Sequence, residues 1–167
     1  MISPDSTEAR INPDEVLATS GGDWRNVKDQ ASAMRECVKM LHRYIEEGVS
    51  FNQETTLSGK SVFAAVRSAK KHGYSIKLFY IGVESADLAI KRVHQRVEKG
   101  GHGIDDATVR RRYSVSMEAL KRIIPLCDVV EIFDNSIELT SVAKYKDGKW
   151  VEFDGRCQWL ASCFNVS

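Results

Sequence analysis

From Asp23 to Glu47 the apolar residues recur in alternating steps of three and four: Trp24, Val27, Ala31, Met34, Val38, Leu41 and Ile45. On a 3.6-residue period they form one stripe, which predicts a long amphipathic helix capped by Asp23 and stopped by Gly48. Further along, SIKLFYIGV is almost continuously apolar, as expected of a strand covered on both faces. Ser85 then caps a predicted helix whose inner positions are Ala86, Ile90, Val93 and Val97. After the glycine break at 100–103, Asp105 caps another, with Val109, Tyr113, Met117, Leu120 and Ile124 inward and Pro125 at its end. CDVVEIF reads as a second buried strand.

The flanks complete the pattern. Residues 1–10 are polar and read as a frayed start. RINPDEVLATSGG is a short extended piece leading into a helix, with Asn12 as cap, Pro13 in its first turn, and Gly21 and Gly22 at its end. SFNQE is a short strand, followed by a helix from about Gly59 to His72, with Val62, Val66 and Ala69 inward and Gly73 as stop. SVAKYKDGKWVEF predicts a hairpin turning at Asp147-Gly148, and a short helix over about Arg156–Cys163 closes the chain. Strands alternating with helices define an α/β fold with a mainly parallel sheet flanked by helices. Strands near 50–54, 75–83 and 128–133 are expected side by side in it. The 167 residues are expected to form one domain, with the hairpin and short helix occupying 138–167.

Composition narrows the classes. The formal net charge of +1 gives no global attraction to nucleic acid or to an anionic membrane. No apolar run approaches the 20 or so residues that span a bilayer, and MISPDSTEAR has no apolar signal segment. Cys37, Cys127, Cys157 and Cys163 form no CxxC pair, and Cys37 and Cys127 sit in apolar patterns as small core residues. A reduced, cytoplasmic protein is the expectation.

Each candidate site residue has two readings. SGKS at 58–61 resembles the end of a GxxxxGK[ST] phosphate loop, but Glu54 occupies the place of its first glycine. Asp14 and Glu15 either favour a helix dipole or present a carboxylate at the end of a strand, where α/β sheets bind ligands. Glu54, Thr55 and Thr56 either cap a strand-to-helix turn or hold substrate hydroxyls. Arg92 and Arg96 share a helix face, and Arg110, Arg111 and Arg112 begin the next helix. Around a glycine hinge these arginines are either a solvated charged face or a lid over phosphates. His102 is a proton donor or a turn residue, and Asp134, Asn135 and Ser136 are turn residues at minimum. The four histidines show no metal spacing, so no protein metal site is expected.

Taken in order, INPDE, FNQETTLSG, KKHGYSIKLFYIGVESADLAIKRVHQRV, GGHGIDDATVRRRYSVSMEAL and VVEIFDNS resemble the zeta toxin family of P-loop kinases over about residues 10–137. The resemblance implies ATP- and Mg²⁺-dependent phosphoryl transfer to a small molecule such as a UDP-linked amino sugar. It makes Asp14 the carboxylate that orients and deprotonates the acceptor hydroxyl. Glu54, Thr55 and Thr56 become acceptor contacts. Arg96 and Arg112 become lid cations, and Arg92 and Asn135 lie near the nucleotide. An antitoxin protein is the implied partner. The family begins with a strand, a phosphate loop and a helix of about 30 residues. Only MISPDSTEA precedes Arg10 here, so the kinase-like fold is expected to be truncated at its N-terminus, with ATP binding impaired or supplied by a complementing chain. The rival expectations are a non-catalytic module binding a nucleotide sugar or a protein, and, less favoured by charge, a nucleic-acid binder using the arginine run.

Overall fold

The computed structural model describes residues 9–101 and 103–165. Its elements are β1 (Ala9–Ile11), α1 (Pro13–Thr19), α2 (Val27–Glu47), β2 (Phe51–Gln53), α3 (Lys60–Lys71), β3 (Lys77–Gly82), α4 (Ala86–Glu98), α5 (Asp106–Ile123), a 3₁₀ turn at Ile124–Leu126, β4 (Val129–Asp134), β5 (Thr140–Lys146), β6 (Lys149–Phe153) and α6 (Gln158–Phe164). The α/β expectation holds, with parallel strands and flanking helices. The chain divides into two compact units, residues 1–55 with 71–73, and residues 56–70 with 74–167.

In the first unit β1 and β2 pair in parallel, Ala9 opposite Phe51 and Ile11 opposite Gln53. Ala9 and Arg10 therefore belong to a strand, where a frayed start was expected. Residues 1–8 lie outside the described residues. Asn12 caps α1 by accepting from the Asp14 N–H at 2.9 Å, and Pro13 follows where its missing N–H costs nothing. Position 22 favours glycine, since a Cβ there would lie 2.5 Å from Leu17 Cδ1 and displace that side chain. That close approach lets α1 fold back on α2.

Two readings of α2 change. Its cap is Asn26, whose side chain accepts from Lys28 N at 2.9 Å. Asp23 instead closes a local turn, accepting from Arg25 N at 2.9 Å. The buried stripe is Ala33, Cys37, Leu41 and Ile45, while Val27, Met34 and Val38 are exposed. Both stripes share the last two turns. They diverge in the first turns, where the small Ala33 and Cys37 face inward and the larger Met34 and Val38 do not. Gly48 ends the helix in the left-handed conformation, φ 69°.

The second unit holds a four-stranded sheet in the order β3-β4-β5-β6. β3 and β4 are parallel, Lys77 opposite Val129 through Gly82 opposite Asp134. β5 and β6 are antiparallel additions. Their hairpin turns at Asp147 (φ 51°) and Gly148 (φ 83°), the left-handed pair that a two-residue I′ turn requires. One sheet face is packed: Val130 and Ile132 join Val142 and Ala143 of β5, Val62 and Phe63 of α3, Ala119, Leu120 and Ile123 of α5, and Trp159 and Leu160 of α6. Trp150 stacks edge-on against Tyr145, Phe153 and Phe164, with ring centroids 5.1–5.4 Å apart, so α6 is pinned to the hairpin. Asp128 accepts from Lys70 Nζ and from Ile76 N, both at 2.7 Å, tying the end of α3 to the start of both parallel strands. The Lys70 ammonium holds its carboxyl below the ordinary range, and the Ile76 N–H adds to this.

Two expectations about the strands fail. β3 is not covered on both faces: Phe79 is 49% and Ile81 55% exposed, because β3 is an edge strand whose helix cover lies on the Leu78–Tyr80 side. The strand near 50–54 is not a member of this sheet. β2 is three residues long, two of them polar, and its ladder is with β1. So short and polar a segment does not suit the middle of a buried sheet. On α4, Ile90 is the buried position, and Val97 is 44% exposed. The thiols of Cys37, Cys127 and Cys163 are buried, and burial pushes Cys127 up to about 11, as befits core residues.

Candidate functional site

In the first unit the carboxyl ends of β1 and β2 lie at one edge, because the strands are parallel. Ile11 O accepts from Glu54 N at 3.2 Å across that edge. The Glu54 carboxylate is held there by the Arg10 guanidinium and by Asn12 Nδ2 at 3.1 Å. Arg10 also reaches Glu15 at 3.2 Å. Asp14 follows in the first turn of α1, exposed. Asp14 and Glu54 thus emerge from adjacent strands at the same edge, the end where ligands bind α/β sheets. Thr55 is the next residue and is exposed.

In the second unit the arginines of α4 and the start of α5 are separated by the glycine break. Gly101 approaches Arg96 so closely that a Cβ would lie 2.6 Å from Arg96 Cγ, and its N–H donates to Arg96 O at 2.9 Å. Arg92, Gln95, Arg96, Lys99 and Gly101 line a shallow open groove. Asp105 caps α5 by accepting from Thr108 N at 2.8 Å, and this bond lowers its carboxyl. An ion pair and a hydrogen bond cross from α4 to α5: Asp87 with Arg110 at 2.5 Å, and His94 Nε2 with Asp106 Oδ1 at 2.8 Å. Arg110 is therefore a clasp between the helices. Arg112 is half-buried and makes no ion pair among the described residues. A half-buried guanidinium without a carboxylate suits an anionic ligand. His102 lies outside the described residues.

The turn after β4, whose residues the sequence identifies as turn residues at minimum, is a hydrogen-bond network. Asp134 Oδ1 accepts from Ser136 Oγ at 2.6 Å, from Ser136 N at 3.2 Å and from Trp159 Nε1 at 3.0 Å. Ser136 Oγ accepts from Glu84 N at 2.8 Å, and Ser136 O accepts from Arg92 at 3.1 Å. Asn135 N donates to Gly82 O at 2.9 Å. Arg92 and Asn135 are thereby brought together through the Ser136 turn. Trp159 and Gly82 were missed. The indole lies where a Gly82 Cβ would meet it at 2.5 Å, so the glycine makes room for the tryptophan. Glycine inside an apolar strand was the available signal; nothing in the local pattern pointed to Trp159.

The loop before α3 does not form a phosphate cradle. Glu54 stands where the first glycine would be, and its carboxylate is occupied by Arg10 and Asn12. Leu57, 3% exposed, is anchored in the core with left-handed backbone, φ 55°. Thr56 Oγ1 and Ser58 Oγ satisfy each other at 2.7 Å. An ATP phosphate chain does not fit this loop in the way GxxxxGK[ST] holds it, whereas the groove arginines fit anionic oxygens. Among the described residues no three His, Cys, Asp or Glu side chains cluster for a metal ion. No helix among them is long and apolar enough to cross a membrane.

Comparison with known proteins follows the same lines. The family described as zeta toxin matches residues 2–147, most of the chain. An uncharacterized protein of Haemophilus influenzae is 35% identical over 112 residues, covering 67% of this chain and 79% of that protein. No solved structure matches at a significant level. The family match ends before Trp159, so α6, which supplies the indole that donates to Asp134, lies beyond it.

Proposed function

Since the chain belongs to the zeta toxin family, a family of ATP-using P-loop proteins, we propose that it is a kinase-like domain carrying the acceptor edge and arginine lid of a small-molecule phosphotransferase, and that these 167 residues alone transfer phosphate weakly. The observation that carries this reading is the half-buried Arg112 on α5, which makes no ion pair among the described residues, next to a helix whose Arg92 and Arg96 line a groove. Phosphoryl transfer needs positioning and charge stabilisation more than covalent chemistry.

In this reading Asp14 accepts the proton of the acceptor hydroxyl, and Glu54, Thr55 and Thr56 hold that acceptor. Arg96 and Arg112 stabilise charge on the transferred group, and Arg92 and Asn135 contact the nucleotide. The acceptor is a nucleotide-linked amino sugar. ATP with Mg²⁺ supplies the phosphoryl group when bound. Because the loop before α3 lacks a cradle, a firm grip on the phosphates would come from outside the described residues, including a complementing chain. An antitoxin protein is the expected regulatory partner. Removing one well-placed donor at such a site costs about 10²–10³ in rate, and a missing loop costs more.

The test is phosphate transfer from labelled ATP to UDP-N-acetylglucosamine, with Asp14→Ala as control. Little or no transfer, with nucleotide binding that depends on Arg96 and Arg112, is the expected result. Vigorous turnover abolished by Asp14→Ala would show that the chain has its own phosphate grip. Nucleotide-sugar binding with no turnover under any condition would favour the second reading, a non-catalytic binding module, which the occupied Glu54 and buried Leu57 support.

A further inference from the structure

Among the described residues the outer edge of β3 is paired with no strand. Ile76 O and Gly82 O both accept from the β4 side, from Asp128 and Val129, and from Asn135. Backbone groups alternate in direction along a strand, so the N–H and C=O groups of Lys77, Phe79 and Ile81 point away from β4. No strand pairs with them among the described residues. The same residues carry the exposed side chains: Phe79 at 49% and Ile81 at 55%. Edges are ordinarily protected by proline, bulges or inward charge. β3 has a regular ladder to β4, no proline, and one charge, Lys77, at its start.

We propose that this edge joins two copies of the chain, β3 pairing antiparallel with β3 about a twofold axis perpendicular to the sheet. The sequence KLFYIG is self-complementary in one register. With Tyr80 opposite Tyr80, each Phe79 faces Ile81 of the second copy. These are outward-pointing residues on both copies, so each such pair exchanges two N–H···O bonds. Opposed residues in an antiparallel pair share a face, so the exposed aromatic and aliphatic side chains meet in contacts of a favourable type. Leu78 faces Gly82, where the Trp159 indole of the same chain already fills the space a Cβ would take, so the Phe79–Ile81 pairs set the register. Lys77 falls outside this block, so the two ammonium groups do not meet. The result is a continuous sheet with an isologous interface, the commonest closed arrangement.

The experiment is sedimentation equilibrium across a concentration series, with amide hydrogen exchange on the same samples. A concentration-dependent dimer is expected, and the Phe79 and Ile81 amides should slow as the dimer forms. Ile81→Pro removes an outward N–H without touching the β4 ladder, and Phe79→Lys adds charge to an exposed position. Both should weaken self-association at least about tenfold, the loss implied by one or two net hydrogen bonds. Circular dichroism and melting should stay close to the parent chain's. Met34→Lys, on the other exposed apolar helix stripe, should leave the dimer unchanged. A monomer at every concentration overturns the proposal. So does a dimer dispersed by Met34→Lys and not by Ile81→Pro. A monomer whose Phe79 and Ile81 amides are already protected also overturns it, since another segment of the same chain would then cover the edge.

Discussion

The loop after β2 carries the chain's most suggestive tetrapeptide, SGKS, yet Ser58 is paired with Thr56, Glu54 is held by Arg10 and Asn12, and Leu57 is sunk in the core. The loop after β4, Asp134–Ser136, looks like an ordinary turn, yet it gathers hydrogen bonds from α4, α6 and the residues after β3. A motif fragment is defined by residue types, and its geometry is a separate matter. A turn whose donors and acceptors converge from several elements fixes the position of Asn135 and of the Arg92 side chain. The difference lies in where hydrogen bonds go, which a local reading of residue types does not reveal.

That contrast can be broken first at Trp159. Trp159→Ala removes an 8%-exposed indole from the core and leaves Asp134 Oδ1 with its Ser136 donors alone. A loss of about 3–5 kcal/mol is expected from the class of large-to-small core changes, read as a shifted denaturant midpoint. Trp159→Phe keeps most of the ring and should cost about 1–2 kcal/mol through the lost hydrogen bond. If Trp159→Phe matches Trp159→Ala, packing and not the Asp134 bond is what the indole supplies.

Next is Asp128→Ala, which strips Ile76 N of its acceptor and should cost about 1–3 kcal/mol. The pH dependence follows from sign. The folded carboxyl lies below its ordinary 3.8, so its contribution is present above that value and is lost as pH falls through the lowered folded value. Acid titration of stability should therefore be shallower in Asp128→Ala below about pH 4. A parallel acid profile would mean the Lys70 pair contributes nothing to stability. Smallest is Glu54→Gln. Its partners are exposed, so a change of about 0–1 kcal/mol is expected, and a larger loss in thermal melts would show the Arg10–Glu54–Asn12 contacts to be a structural clamp.

Much of this fold was legible because apolar periodicity and caps are local. Ser85, Asp105, Asn12, Gly48 and the Asp147-Gly148 turn all act where the sequence places them. The misreadings were tertiary. Met34 and Val38 fit a helical stripe as well as Ala33 and Cys37 do, and only the packing of α1 on α2 decides between them. β3 is apolar enough for a buried strand, but its place at the edge is set by pairing and not by composition. Asp14, Glu54, Arg92, Arg96, Arg112 and Asn135 were proposed through resemblance more than through pattern, and their roles await the tests above. The Trp159–Asp134 bond spans 25 residues and left no local trace.

The central claim is that phosphate affinity resides in the arginine lid and not in the SGKS loop. Calorimetric titration of ATP with Mg²⁺ into the chain and two variants tests it most directly. Arg112→Ala should weaken binding at least about tenfold, as loss of a charge-assisted contact implies, while Lys60→Ala should leave it within about twofold, less than half a kcal/mol. The opposite result, binding abolished by Lys60→Ala and indifferent to Arg112→Ala, would place a working phosphate loop before α3 and contradict the account.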